Sequence, residues 1–300
     1  MLTDETFPLT TKRRLIGLSF GGMRSARRGS GTDVAGSRPY RPGDDFDTID
    51  WAASARLSSA RGTDEFVVRE RFADEAPRVI IVCDRRPEIA AFPEHLPWLS
   101  KPAAVRTAAL MIADSTVAAR GYTGYLDFAE GERYWRAPRS QHEDWRLEAR
   151  RPFGAPQDTL GRSFEHLFQL RPSLTPGTFV FVISDFLVPP DERMWLHALE
   201  RRWDVVPVVV QDPVWEQSFP DISGAMLPIV EPSTGNTTYL RLTRREAAAR
   251  RRANEERWEG LQRVFSGLDL EPVVISSNDP THILEGFLWW ADQRTQGRVP

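Results

Sequence analysis

Cysteine is almost missing from this 300-residue chain. Cys83 is the only one, which excludes intrachain disulfides and cysteine-built zinc sites. Lysine is nearly as scarce: Lys12 and Lys101 stand alone, and arginine supplies the rest of the 39 basic residues. A codon preference of a GC-rich genome accounts for that bias along the whole chain, so the bias by itself locates no site. His95, His142, His166, His197 and His282 show neither an i,i+4 pair nor an H-x-E pattern, so no imidazole metal cluster is indicated. There is no G-x-S-x-G elbow. The glycines at 29 and 31 are followed by Thr32-Asp33 rather than Gly-Lys-Ser/Thr, which excludes a phosphate-binding P-loop there. The longest apolar run, near 179–183, is far short of a membrane span. Asp4, Glu5, Lys12, Arg13 and Arg14 make the first residues unlike a secretory signal. Together these absences point to a cytoplasmic protein with no familiar catalytic constellation.

What is present is ordinary in bulk. Apolar residues make up 41% and charged residues 27%, as in globular proteins generally. A formal charge of -3 argues against a protein built to neutralise phosphates. The length suits one large domain or two modest ones.

Three regions differ in character. Residues 1–36 are basic and glycine-rich and read as a flexible arm. Residues 37–76 alternate charge sign over short distances, as a charged β/turn extension. From 78 the pattern changes to buried strands alternating with helices. Continuous apolar runs at 78–83 (RVIIVC), 178–183 (TFVFVI) and 204–210 (DVVPVVV) suit strands covered on both faces. Helices are expected over 103–120, 160–170, 191–202, 244–265 and 283–292, the fourth opened by a capping-box pattern, Thr243…Glu246. Further strands are expected at 122–128, paired with 132–136 across Glu130-Gly131, and at 270–275, with a hairpin at 226–230 and 237–240. This alternation predicts an α/β fold, a doubly wound and mostly parallel sheet of Rossmann-like class over 77–300.

The densest chemistry lies at 37–56, SRPYRPGDDFDTIDWAASAR. Pro42-Gly43 signals a turn. Asp44, Asp45, Asp47 and Asp50 could be a carboxylate site for a metal or partner, or a charged turn satisfied by Arg38, Arg41, Arg56 and backbone N–H groups. The interleaved arginines favour the turn, because they compete for the oxygens a cation would need.

At this segment the sequence resembles bacterial domain-of-unknown-function family 58, whose signature is roughly R-E-Y-x-P-G-D-D-x-R-x-I-D-W-x-x-S-A-R. Arg38, Tyr40, Pro42, Gly43, Asp44, Asp45, Ile49, Asp50, Trp51, Ser54, Ala55 and Arg56 match it. Pro39 and Asp47 depart from it, standing where the family has Glu and Arg. Phe66-Val67-Val68-Arg69-Glu70 resembles the next element, and Gln211-Asp212-Pro213…Glu216 resembles an Asp-Pro-x-x-Glu segment. The resemblance implies a von Willebrand factor A-like domain, a structural role for Arg38, Tyr40, Asp44, Asp45, Asp50, Trp51 and Arg56, and company with MoxR-type AAA+ ATPases. Many relatives carry membrane helices ahead of the signature, a feature this sequence does not show.

Von Willebrand factor A-like domains often hold a divalent cation through D-x-S-x-S after the first strand, plus a Thr and an Asp from later loops. Here Asp84 is followed by Arg86 and Glu88 where serines would stand, while Thr159 and Asp185 suit the later positions. The expectation is a degenerate, metal-free site of Asp84, Thr159 and Asp185, with Arg86 between the two aspartates and Mg²⁺ the ion were one bound. The loops bearing Arg85, Arg86, Glu88 and Phe186 are the candidate partner-docking face. The function expected from the resemblance is a non-enzymatic adaptor or co-chaperone for a MoxR-type ATPase and its client proteins. A divalent-metal-dependent binding module or enzyme is the alternative. A nucleic-acid binder using the arm and the basic helix 244–257 is the third reading, although Arg and Glu three or four apart there suit a solvated helix.

Overall fold

The computed structural model describes residues 6–12, 24–28, 34–40, 49–62, 66–74, 76–90, 100–138, 146–170, 174–222, 224–231, 234 and 236–296. The chain divides into two compact units, Arg14–Ala76 and the remainder, Met1–Arg13 with Pro77–Pro300.

The smaller unit holds β1 (Arg24–Arg28), β2 (Val34–Pro39), α1 (Trp51–Arg61) and β3 (Val67–Asp74). β3 lies between the other two strands and pairs antiparallel with both. Beyond the expected β/turn character, the unit contains an eleven-residue helix. Asp50 starts it by accepting from Ala53 N at 3.0 Å, and Gly62 ends it in the left-handed conformation at φ 68°. Because β1 pairs with β3, the expected free arm over 1–36 is replaced at 24–28 by a strand of this sheet.

The larger unit runs β4 (Arg78–Cys83), α2 (Pro87–Ala90), α3 (Lys101–Ala118), β5 (Tyr122–Asp127), β6 (Tyr134–Arg136), α4 (Arg146–Ala149), α5 (Thr159–Gln169), β7 (Phe179–Ser184), α6 (Glu192–Glu200) and β8 (Asp204–Val210). It continues with β9 (Met226–Val230), β10 (Thr237–Arg241), α7 (Arg244–Gly267), β11 (Val273–Ile275) and α8 (Pro280–Gln296). Six strands form one sheet in the order β11-β8-β7-β4-β5-β6, parallel except for the edge strand β6. This is the doubly wound, mostly parallel sheet that the alternation predicted, and it agrees with the von Willebrand factor A-like fold implied by the resemblance. Successive strand residues point to opposite faces, which explains the continuous apolar runs. Val79, Ile81, Phe179, Phe181, Val206 and Val208 pack under α3 and α8. Ile80, Val82, Val180, Val182, Val205 and Val209 pack under α5, α6 and α7.

Local chemistry sets the element ends. Thr243 and Glu246 form a reciprocal capping box at the start of α7. At its other end Asp269 turns left-handed at φ 55°, with Leu270 N donating to Phe265 O and Asp269 N to Ser266 O. That closure consumes the first residues of the strand expected from 270, and pairing begins only at Val273.

Residues 6–12 also depart from the expected arm, because they belong to the core of the larger unit. Phe7 is buried, stacked on Phe287 with centroids 4.4 Å apart, and its N–H donates to Ser115 Oγ. Arg294 Nη1 donates to both Asp204 oxygens at 3.0 Å and to Thr10 O, and Lys12 N donates to Asp204 Oδ2. The polar N-terminal composition concealed one aromatic anchor. Phe7→Ala should cost about 3 kcal/mol in chemical denaturation, the usual size for a buried ring. Asp50→Ala should cost about 1 kcal/mol and Asp50→Asn almost nothing, because Asn caps a helix as well as Asp. Thermal unfolding of the paired variants checks the second expectation.

Candidate functional site

In an open parallel sheet, chain connections on either side of a strand-order reversal leave in opposite directions and open a crevice at the carboxyl ends. β4 and β7 are neighbours at that reversal: the chain passes from β4 to β5 on one side and later returns to β7 on the other. The residues immediately following these two strands are Asp84, Arg85 and Arg86, and Asp185 and Phe186. The topology therefore brings the two aspartates together.

A chain of ion pairs fills the crevice. Arg86 Nε donates to Asp84 Oδ2 at 2.9 Å, and Arg86 Nη2 donates to Asp84 Oδ2 at 2.7 Å and to Asp185 Oδ1 at 2.9 Å. Lys101 Nζ then donates to Asp185 Oδ2 at 3.0 Å and to Glu216 Oε1 at 2.6 Å. Ser184 Oγ donates to Asp84 Oδ2 at 2.7 Å, and Leu187 N to Asp185 Oδ1 at 3.1 Å. Asp84, Arg86, Lys101 and Asp185 are all buried. Burial works against the charge of Lys101, but Asp185 and Glu216 outweigh it and hold its pKa above the ordinary lysine value. Burial pushes the Glu216 carboxyl above its ordinary range, against the pull of Lys101.

Lys101 was not legible as a site residue, although its position carried a signal. It opens α3, where the helix dipole disfavours a cation. A lysine there needs carboxylates from elsewhere. Glu216 comes from the segment after β8, which folds on itself. Asp212 Oδ1 accepts from Val214 N and Trp215 N, and Glu216 Oε2 accepts from Asp212 N.

Arg85 belongs to a second buried cluster. Its Nη2 donates to Tyr125 Oη at 3.0 Å and to Glu148 O at 2.9 Å, its Nη1 donates to Arg151 O, and its guanidinium covers the Phe153 ring. Tyr125 Oη donates to Asp127, which also accepts from Arg151 Nε. Cys83 lies beside this cluster, and burial raises its thiol to about 11, leaving it protonated and inert at neutral pH.

The residues as they stand do not fit a divalent ion. A hard cation needs free oxygens, whereas the Asp84 and Asp185 carboxylates are taken up by a guanidinium and an ammonium. Among the described residues no three His, Cys, Asp or Glu side chains are placed to share a metal. Thr159 is buried with its Oγ1 lacking a hydrogen-bond partner, and Glu88 Oε2 is likewise buried without one.

The sequence pattern of DUF58, a protein family of unknown function, matches residues 36–259. The chain belongs to the DUF58 family. It is similar to the uncharacterized proteins Rv1480 and MT1527 of Mycobacterium tuberculosis and Mb1516 of Mycobacterium bovis. Each is 27% identical over 242 residues, covering 76% of this chain and 69% of the relative. No solved structure matches.

The DUF58 signature now has a physical reading within the smaller unit. Ile49 bridges to Val68, and Asp50 N donates to Val67 O. Ser54 Oγ donates to Asp50 O at 2.7 Å and accepts from Val67 N at 2.8 Å, fastening α1 to β3. Asp50 is a helix cap. Trp51 is 61% exposed and meets Phe66 edge-on, Tyr40 meets the same ring, and Arg56 lies exposed with its Nε donating to Ala52 O. Asp44, Asp45 and the Arg38 side chain lie outside the described residues.

One expectation is corrected. The proposed docking face of Arg85, Arg86, Glu88 and Phe186 is mostly interior: Arg85, Arg86 and Phe186 are buried and Glu88 is half-buried. Arginines in a loop suggested exposure. Carboxylates, a phenol and backbone carbonyls nearby allow the guanidinium groups to be buried instead.

Arg86→Ala should cost about 3–5 kcal/mol, because it leaves buried Asp84 without a cation and Asp185 with Lys101 alone. Asp84→Asn combined with Arg86→Met should be more stable than the single Arg86 variant in urea melts. The raised Glu216 pKa sets a pH slope. Between the ordinary glutamate pKa and the raised one, the folded chain keeps a proton that the unfolded chain has lost, so stability falls as pH rises through that interval. Glu216→Gln should remove this part of the slope in stability-versus-pH measurements.

Proposed function

We propose that this DUF58 chain is a non-catalytic adaptor that binds other proteins, acting with a MoxR-type AAA+ ATPase in the maturation or assembly of clients. Its von Willebrand factor A-like crevice is a degenerate metal site closed by its own cations. The observation that carries this reading is Arg86 lying between Asp84 and Asp185, the position a metal would need. With the crevice closed, partner contact falls to an exposed surface of the larger unit. The two-stranded β9–β10 hairpin offers one, with Met226 59% and Tyr239 65% exposed. The ATPase partnership rests on the family resemblance.

A second reading, a divalent-metal-dependent binding module, is favoured by two buried oxygens without partners, Thr159 Oγ1 at the start of α5 and Glu88 Oε2 in α2 after β4. Nucleic-acid binding draws less support. Arg251 Nε donates to Phe219 O and Arg257 Nη2 to Glu216 O, so arginines of α7 are engaged in holding the segment after β8.

Tagged chain recovered from its own host with ATP and Mg²⁺ should carry a MoxR-type ATPase. Met226→Ser with Tyr239→Ser should reduce that recovery about tenfold, equivalent to about 1.4 kcal/mol, without lowering the melting temperature. Recovery of no ATPase would sink the adaptor reading. Millimolar Mg²⁺ or Mn²⁺ should leave the melting temperature unchanged; a rise abolished by Asp84→Asn or Asp185→Asn would establish the metal-dependent module instead.

A further inference from the structure

The β9–β10 ribbon has two edges, and they are not alike. Among the described residues β10 pairs with β9 alone, and all five of its residues are exposed. Its foot is held where Leu227 packs against Phe219, Leu242 and Ala247. A ribbon of two strands is marginal by itself, and further strands stabilise it. The ladder fixes which backbone groups point outward. Glu231 N donates to Asn236 O at 2.8 Å, so the pair that closes the hairpin is hydrogen-bonded, and the pairs alternate from there. Ile229 with Thr238 and Leu227 with Leu240 are therefore hydrogen-bonded pairs; Val230 with Thr237, Pro228 with Tyr239 and Met226 with Arg241 are not. In the second set the N–H and C=O groups face away from the ribbon. The central outward position of β9 is Pro228, which has no N–H to offer and blunts that edge. On β10, Thr237, Tyr239 and Arg241 each turn an N–H and a C=O away from β9.

Charge is concentrated next to the open edge. Residues 237–253 hold six arginines and one glutamate, in a chain whose formal charge is -3. The glutamate, Glu246, is committed to the capping box of α7. Arg241, Arg244, Arg245, Arg250 and Arg252 are exposed.

We infer that the outer edge of β10 receives an extended segment of a partner protein as a third strand, with acidic residues at the end that meets Arg241 and the first turn of α7. The backbone selects a polypeptide. A row of outward N–H and C=O groups is matched by another backbone, which neither a lipid surface nor a nucleic acid supplies. The arginines select an acidic segment over a basic one. Antiparallel pairing, the stronger of the two modes, sets the acidic residues at the N-terminal end of the incoming strand. β-Branched residues suit the positions facing Thr237 and Tyr239. This deepens the adaptor reading, on whose choice of the ribbon as a contact surface it rests, by naming the kind of segment bound.

The full chain is titrated by calorimetry at low salt with a synthetic peptide in which glutamates precede alternating valine and threonine, and with the same peptide carrying lysines in place of the glutamates. The glutamate peptide should bind at least about tenfold more tightly, and the difference should shrink as salt rises. Hydrogen exchange followed by NMR should slow at the amides of Thr237, Tyr239 and Arg241 on binding, and stay as it was at Thr238 and Leu240, which already bond to β9. Tyr239→Pro deletes an outward N–H without removing a ladder bond, whereas Tyr239→Val keeps it. The proline variant should bind the glutamate peptide at least about tenfold more weakly than the valine variant. Arg244→Glu with Arg245→Glu should reverse the choice of peptide with the melting temperature unchanged or raised, because acids suit a helix N-terminus. Equal binding of the two peptides to the wild type, equal binding by the proline and valine variants, or no saturable binding of the glutamate peptide overturns the proposal. Peptide binding without recovery of an ATPase would remove the adaptor reading and leave the strand site standing; recovery without peptide binding would do the reverse.

Discussion

The guanidinium of Arg86 between Asp84 and Asp185 is the interaction on which the carboxyl end of the sheet depends. A doubly wound sheet opens a crevice where its strand order reverses, and polar backbone ends and loop carboxylates collect there. Such a crevice must be filled by water, by a cation or by the protein's own side chains. Here the protein supplies them, and Lys101 and Glu216 extend the pairing to the start of α3 and to the turn after β8. Buried ion pairs contribute little net stability, because desolvation offsets most of their attraction. Once the aspartates are committed to the interior, however, removing either cation is costly. The network therefore specifies the arrangement of four chain segments more than it stabilises the fold.

The same device recurs away from the crevice. Arg294 pairs with Asp204 at the start of β8, and Arg85 with Tyr125 and Asp127 around the end of β5. In each case a strand terminus places a carboxylate in the interior, and a planar guanidinium satisfies several acceptors at once, which an ammonium does less well. Arginine abundance, which pointed to no site when counted along the chain, thus has a local use. Lys12 and Lys101, the two lysines, also sit in ion pairs, with Asp269 and with Asp185 and Glu216.

Much of the larger unit was legible because its signals are local. Continuous β-branched runs marked β4, β7 and β8, turn residues marked the β5–β6 and β9–β10 hairpins, and Thr243 with Glu246 marked the start of α7. The Arg86 bridge was legible too, because resemblance placed Asp84 and Asp185 together and left Arg86 one choice of partners. Other features depend on distant contacts. Phe7 looked like part of a polar arm because Phe287 and Ser115 are more than a hundred residues away. Helix α1 was hidden in a charged stretch, since its attachment through Ser54 requires β3. Exposure was misjudged at Arg85 and Arg86, because residue type suggests water while the acceptors that permit burial come from other elements, and at Phe186, because its place in a loop hid the core that it joins.

By itself the amino-acid sequence determined the class of fold, the faces of its strands, the cap of α7 and its membership of DUF58, because periodicity, capping and motif are properties of neighbouring residues. Only the tertiary structure decided which charges are interior and which are paired. It brought Lys101 and Glu216 to the crevice and turned a candidate docking face into core. The reason is physical: the cost of a buried charge depends on what the whole fold places within about 3 Å of it, and no local pattern encodes that distance.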